Sequence, residues 1–283
     1  MSLPRLRNAP VPGIAAGLAF LVLFWEPLST LVRDWWSEPD AGHGLLLGPI
    51  AIVLAWRRGL LSGSQPNRWL GVALLVGAVL LRYASGLAAE LFTMRLSMLA
   101  ALSALIVFAY GLRQLAHWWL PIALLVLSIP LPSVVLSSLA LPLQLEASQL
   151  GTTLLEWRNV PVLLSGNVIN LPGRSLFVTE ACSGLRSLTA LVSLGVLIGG
   201  VWLRYPMSRI LLVLAAVPVA MILNGARVFL TGFLVYYVDP RLGEGFLHYT
   251  EGWAIFIVAF AILATTALMI SRLELAYLTK AGK

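Results

Sequence analysis

The chain has 283 residues, 59% of them apolar and only 11% charged, with a mean hydropathy of +0.91. These proportions exclude a soluble globular domain and indicate an integral membrane protein. The formal charge of +7 does not point to nucleic acid, because the basic residues flank apolar runs instead of gathering on one soluble face.

Arg5 and Arg7 precede an apolar run, as in a signal sequence. That run passes Leu23 without a small-residue cleavage site, which predicts an uncleaved first span. Eight spans are expected in all, at roughly 11–31, 43–56, 69–88, 91–112, 115–132, 183–203, 207–236 and 247–270. The second is short. The seventh is longer than a bilayer needs, and Pro218 is a candidate kink within it. The expected fold is all-α: a polytopic transmembrane helical bundle forming a single integral membrane domain over 1–283.

The segments between spans predict orientation. One set of ends carries Arg5, Arg7, Arg57, Arg58, Arg68, Arg113, Arg204, Arg209, Arg272, Lys280 and Lys283, with Glu274 as its only acid. The opposite set carries Asp34, Glu38, Asp40, Glu90, Glu146, Glu156, Glu180, Asp239, Glu244 and Glu251. The basic set is expected in the cytoplasm together with both termini. Residues 133–181 then form an extracytoplasmic insertion. Its first half, Ser133 to Trp157, reads as an amphipathic helix on the outer side, lying in the interface or packing on the bundle. Its second half, around Gly166-Asn167, has β-branched runs and reads as a short extended or hairpin segment leading into Cys182.

Cys182 is the only cysteine, so an internal disulfide is excluded. It is either a small packing residue or a nucleophile. A helix N-terminus and a nearby arginine both favour thiolate, and Arg186 stands at i+4. Arg186 has the alternative role of contacting lipid phosphate. Arg227 is expected inside the bilayer, where a guanidinium is costly unless it is paired or faces a cavity; Asn224, at i−3, shares its face. His248 opens the last span with Glu251 at i+3, an acid able to hold the ring and raise its basicity; otherwise it is an interfacial histidine. His43 is either a second polar group of the same site or a helix-start residue, and His117 is assigned no chemistry. Charge counting thus puts Cys182, Arg227 and His248 on the same side of the membrane.

The segment Glu180-Ala181-Cys182-Ser183-Gly184-Leu185-Arg186-Ser187, the later Asn224-x-x-Arg227, and His248 on the next span resemble the exosortase/archaeosortase family. Gly42-His43-Gly44 before a span ending in Arg57-Arg58, the run Ile129-Pro130-Leu131-Pro132, Pro142-Leu143-Gln144 and Gly166-Asn167 resemble it too. The resemblance covers about 43 to 250. It implies a membrane cysteine peptidase or transpeptidase with Cys182 as nucleophile and Arg227 and His248 as its conserved partners. It also implies membrane-anchored substrates with a C-terminal sorting tail: a Pro-Glu-Pro-type motif, a transmembrane helix and a basic end. A bacterial inner membrane is implied, with the site facing the periplasm, and no cofactor or metal.

Arg186, Asn224, Glu251, Glu180 and His43 are expected as supporting or substrate-binding residues. The competing reading is a transporter or lipid-handling scaffold with Arg227, His248 and Glu251 along a polar pathway. A thiol redox protein would need an external resolving thiol. A metalloprotease lacks a His-Glu-x-x-His motif.

Overall fold

The computed structural model of the protein describes residues 11–38, 40–178, 184–239 and 246–281, the side chains at 11–12, 246–252 and 280–281 excepted. The chain divides into two compact units, 1–130 and 131–283.

The first unit begins with α1 (Val11–Leu23) and α2 (Trp25–Ser37), which meet at an angle of 65°. The expected first span is therefore two helices. Pro27 in the first turn of α2 has no N–H for the carbonyl of Leu23, and its ring crowds that carbonyl, so the helix breaks at Phe24. α3 (Gly44–Arg58), α4 (Arg68–Leu87), α5 (Leu91–Tyr110), α6 (Leu112–His117) and α7 (Trp119–Leu127) follow. The same rule separates α6 from α7, because Pro121 cannot bond the carbonyl of His117. Arg58 takes that carbonyl instead, Nη1 donating at 2.8 Å. Gln114 and Trp118 donate to the carbonyl of Gly59, so the end of α3 is fastened to the α6–α7 break.

Antiparallel α4 and α5 approach closely at Gly71, where a β-carbon would lie 2.5 Å from the Cα of Phe108. Phe24, Leu31, Ala78, Met98, Ala101 and Ile129 form the core of this unit. Two ion pairs tie α2 to the hairpin: Arg82 to Glu26 at 2.8 Å and the buried Arg95 to Asp34 at 2.6 Å. Both arginines lie outside the sequence tally of cytoplasmic charges; Arg95 is neutralised by Asp34 of the outer set and Arg82 by Glu26, which belongs to neither set.

The second unit holds α8 (Ser133–Trp157), strands β1 (Leu163–Ser165), β2 (Val168–Leu171) and β3 (Arg174–Phe177), then α9 (Leu185–Trp202), α10 (Pro206–Tyr237) and α11 (Phe246–Ala281). The strands form an antiparallel meander in the order β1-β2-β3, with Leu164 opposite Ile169 and Ile169 opposite Leu176.

α10 is central and runs unbroken through Pro218. Its first half packs with α9 and α11 around Leu191, Leu212, Ala216 and Leu263. Its second half packs with α8 and the sheet around Ala147, Leu155, Ile169 and Val228. Glycines allow the α8–α10 approach: a β-carbon on Gly225 would meet Leu150 Cβ at 2.6 Å, and one on Gly151 would meet Val228.

α11 continues well past the expected end near residue 270. Its extension carries Glu274, a buried carboxylate that accepts the N–H groups of Arg204 and Tyr205 at 2.9 and 3.2 Å. The single acid of the basic set thus caps the turn between α9 and α10.

Among the described residues, five helices are long and apolar enough to cross a membrane, α4, α5, α9, α10 and α11, or six if the bent α1–α2 pair counts as one span. The runs expected at 43–56 and 115–132 form the 15-residue α3 and the broken α6–α7. At about 1.5 Å per residue, α3 is shorter than a ~30 Å hydrocarbon core.

Candidate active site

The site is built where α9 begins. Gly184 precedes α9 with φ +75, the left-handed region that glycine adopts without steric cost. It lies against α10: a β-carbon here would stand 2.7 Å from Asn224 Cγ. The first bond of α9 runs from Leu188 N to Gly184 O at 2.8 Å. α9 starts at Leu185, and the expected i+4 partner of Arg186, Cys182, lies outside the described residues. Arg186 is exposed on the first turn of α9, where its carbonyl accepts the Thr189 hydroxyl at 3.0 Å.

The next residue of α9, Ser187, lines a cavity of about 10 Å³ together with Asn224 and Arg227 of α10 and Ile255, Phe256 and Ala259 of α11. That volume suits a single water molecule. Asn224 is buried and Arg227 half-buried, and the Thr231 hydroxyl bonds the carbonyl of Arg227 at 3.0 Å. Three segments far apart in the chain thus share one polar cavity. Its wall is otherwise apolar, so the Arg227 charge acts in a medium that screens it poorly.

Residues 35–265 match the family model of the transmembrane exosortases. The chain belongs to that family. No curated protein and no solved structure matches it. The match runs from the end of α2 into α11 and takes in every candidate residue. This exosortase is a multi-pass membrane protein from a family of sorting-related enzymes.

Within the exosortase, Cys182 and Glu180 lie outside the described residues. His248 and Glu251 fall in the first turns of α11, with side chains outside the described set. By helical register, position 248 shares a face of α11 with 255 and 259, both of which line the cavity. His43 belongs to the first unit. It occupies the N-cap position of α3, and its Nε2 lies 3.1 Å from the carbonyl of Leu127.

Sequence reasoning did not single out Ser187. Its signal was present, since it follows Gly184 by three residues and so lies about one turn into the helix. Gln144 and Asn167 are given no role in the site by the sequence. They form a contact at the exit of the sheet: Asn167 Nδ2 donates to Val178 O at 3.1 Å and to Gln144 Oε1 at 3.3 Å.

Proposed function

We propose that the protein is a membrane cysteine peptidase or transpeptidase that removes the C-terminal sorting tail of membrane-anchored proteins through a thioester on Cys182. One observation carries the reading. Ser187, five residues after Cys182, shares a small cavity with Asn224, Arg227 and the face of α11 that bears position 248. The start of α9, the Asn224-x-x-Arg227 stretch of α10 and that face of α11 therefore meet at one place, which supports the reading.

The chemistry is acyl transfer. The Cys182 thiolate attacks the scissile carbonyl, giving a tetrahedral oxyanion. Its collapse breaks the C–N bond as His248 protonates the departing amine, leaving a thioester. His248 then takes a proton from the incoming water or amine. Attack of that acceptor on the thioester carbonyl releases the product and regenerates the thiolate beside a protonated His248. Arg227 supplies positive charge for the oxyanion, the thiolate or a substrate carboxylate, with Asn224 beside it. Glu251 steadies His248, Glu180 adds a polar rim, and Arg186, exposed at the first turn of α9, receives an acidic residue of the sorting motif.

In this reading both termini are cytoplasmic, the protein lies in a bacterial inner membrane, and the site opens to the periplasm. The tail helix of the substrate lies along the spans with its basic end inside. The pairing of Arg82 and Arg95 with Glu26 and Asp34 supports that orientation, because it leaves the excess of positive charge on the opposite ends.

The test is a tailed reporter co-expressed with Cys182→Ala. Processing falls to background while the membrane protein accumulates normally. In parallel, an impermeant maleimide titrates Cys182 in intact membranes. The expected thiol reacts from outside with an apparent pKa below the usual thiol value of about 8.5, and that profile shifts upward in Arg227→Ala. Normal processing by Cys182→Ala overturns the reading.

A further inference from the structure

Resting on the peptidase reading above, we propose that the open edge of β3 takes the extended segment of the substrate as a fourth strand, through main-chain hydrogen bonds at Ser175 and Phe177. The phase of the β2–β3 ladder identifies those groups. Val178 N donates to Asn167 O at 2.9 Å. Along the same register the bonded pairs are then Leu176 with Ile169 and Arg174 with Leu171. The two-residue turn Pro172-Gly173, with Gly173 at φ +79, fits this phase, because Leu171 and Arg174 close it. Ser175 and Phe177 therefore direct both N–H and C=O away from β2. Both residues are exposed, Phe177 at 66%. Among the described residues, no main-chain bond beyond the ladder reaches either.

An unpaired strand edge is a template for another extended chain. It does not face hydrocarbon, where unmet N–H and C=O groups are costly, so this edge meets water or a partner. The platform behind it is firm. Ile169, Leu171 and Val178 are buried in one core with Ala147 and Leu155 of α8 and Val228 of α10. Val228 follows Arg227, which lines the polar cavity, so the sheet packs on the stretch of α10 that builds the candidate site. Of the extended chains able to add here, the substrate is the one the reaction requires. A peptide bond is attacked with the backbone around it stretched out and its amide groups unpaired, and the edge supplies partners for those groups. The exposed ring of Phe177 offers an apolar contact to one side chain of the bound strand.

Ser175→Pro tests this. Proline removes one outward N–H and leaves the bonds of the ladder in place, the position at which an edge strand tolerates it. Asn170→Ala is the control: it abolishes the bond from the Ser175 hydroxyl to Asn170 Oδ1 at 2.6 Å, which the proline variant also loses, and keeps the edge intact. The readouts are kcat and KM of reporter processing, with the thermal midpoint in detergent as the measure of folding. Ser175→Pro is expected to raise KM about three- to tenfold with kcat nearly unchanged, the effect of one main-chain hydrogen bond; Asn170→Ala follows wild type. If Ser175→Pro does not accumulate, Phe177→Pro replaces it at the other outward N–H, and the same rise in KM is expected.

A wild-type KM in the accumulating proline variant overturns the edge as the substrate's seat while leaving the peptidase reading intact. So does a proline variant that loses a crosslinked dimer formed by the wild type while its KM stays unchanged, since the edge then pairs with a second copy. Normal processing by Cys182→Ala overturns both.

Discussion

Glu90 closes the α4–α5 hairpin by a cap that the sequence announces only weakly, as an acid ahead of an apolar run. Its carboxylate accepts the N–H groups of Phe92 and Thr93 at 2.9 and 2.6 Å. The hydrogen bond to the Thr93 side chain, then these main-chain bonds and the Arg95 charge, hold its pKa below 4.5 against the opposing effect of burial. A depressed carboxylate pKa stabilises the fold fully above the unfolded value, and that contribution disappears as pH falls through the folded value. Glu90→Gln should therefore cost about 1 kcal/mol at neutral pH. The gap between wild type and variant should close as pH falls from about 5 to about 3, measured as thermal midpoints in detergent. A gap that widens in acid contradicts the capping role.

At the scale of elements, two prolines explain the departures from the expected spans. Pro27 and Pro121 each stand in the third position of a helix and withhold one N–H from the turn before, so 11–31 and 115–132 break instead of crossing straight. Both residues are visible in the sequence. Their effect depends on whether something else satisfies the freed carbonyl, and Arg58 does so for His117. The sequence suggested a helix at 133–157 lying in the interface or packing on the bundle, and the structure sets it against α10 through Gly151 and Gly225. Gly225→Leu places a side chain where Leu150 already lies. It is expected to destabilise by about 1–3 kcal/mol, read as a lower thermal midpoint, and to reduce reporter processing because Asn224 and Arg227 flank it. An unchanged midpoint would mean that the two helices do not bear on each other at this position.

At the scale of the whole molecule the proposal is an orientation, and it can be read by labelling. In a Cys182→Ala background, Trp157→Cys at the end of α8 should react with an impermeant maleimide in intact cells. Ser62→Cys, between α3 and α4, should react only after permeabilisation. The opposite pattern overturns the charge count, and with it the outward-facing site. Two of the arginines that the count omitted are each held by an acid, Arg82 by Glu26 and Arg95 by Asp34.

The membrane class, the family resemblance and the face shared by Asn224 and Arg227 were determined by sequence alone, because hydropathy, motif spacing and helical period are local properties. The seating of Gly184 on Asn224, the joining of α9, α10 and α11 around one cavity, and the hold of Gln144 and Asn167 on Val178 were decided only by tertiary structure. Each of these joins residues many positions apart in the chain, and the close packing that brings them together has no local signature in the sequence.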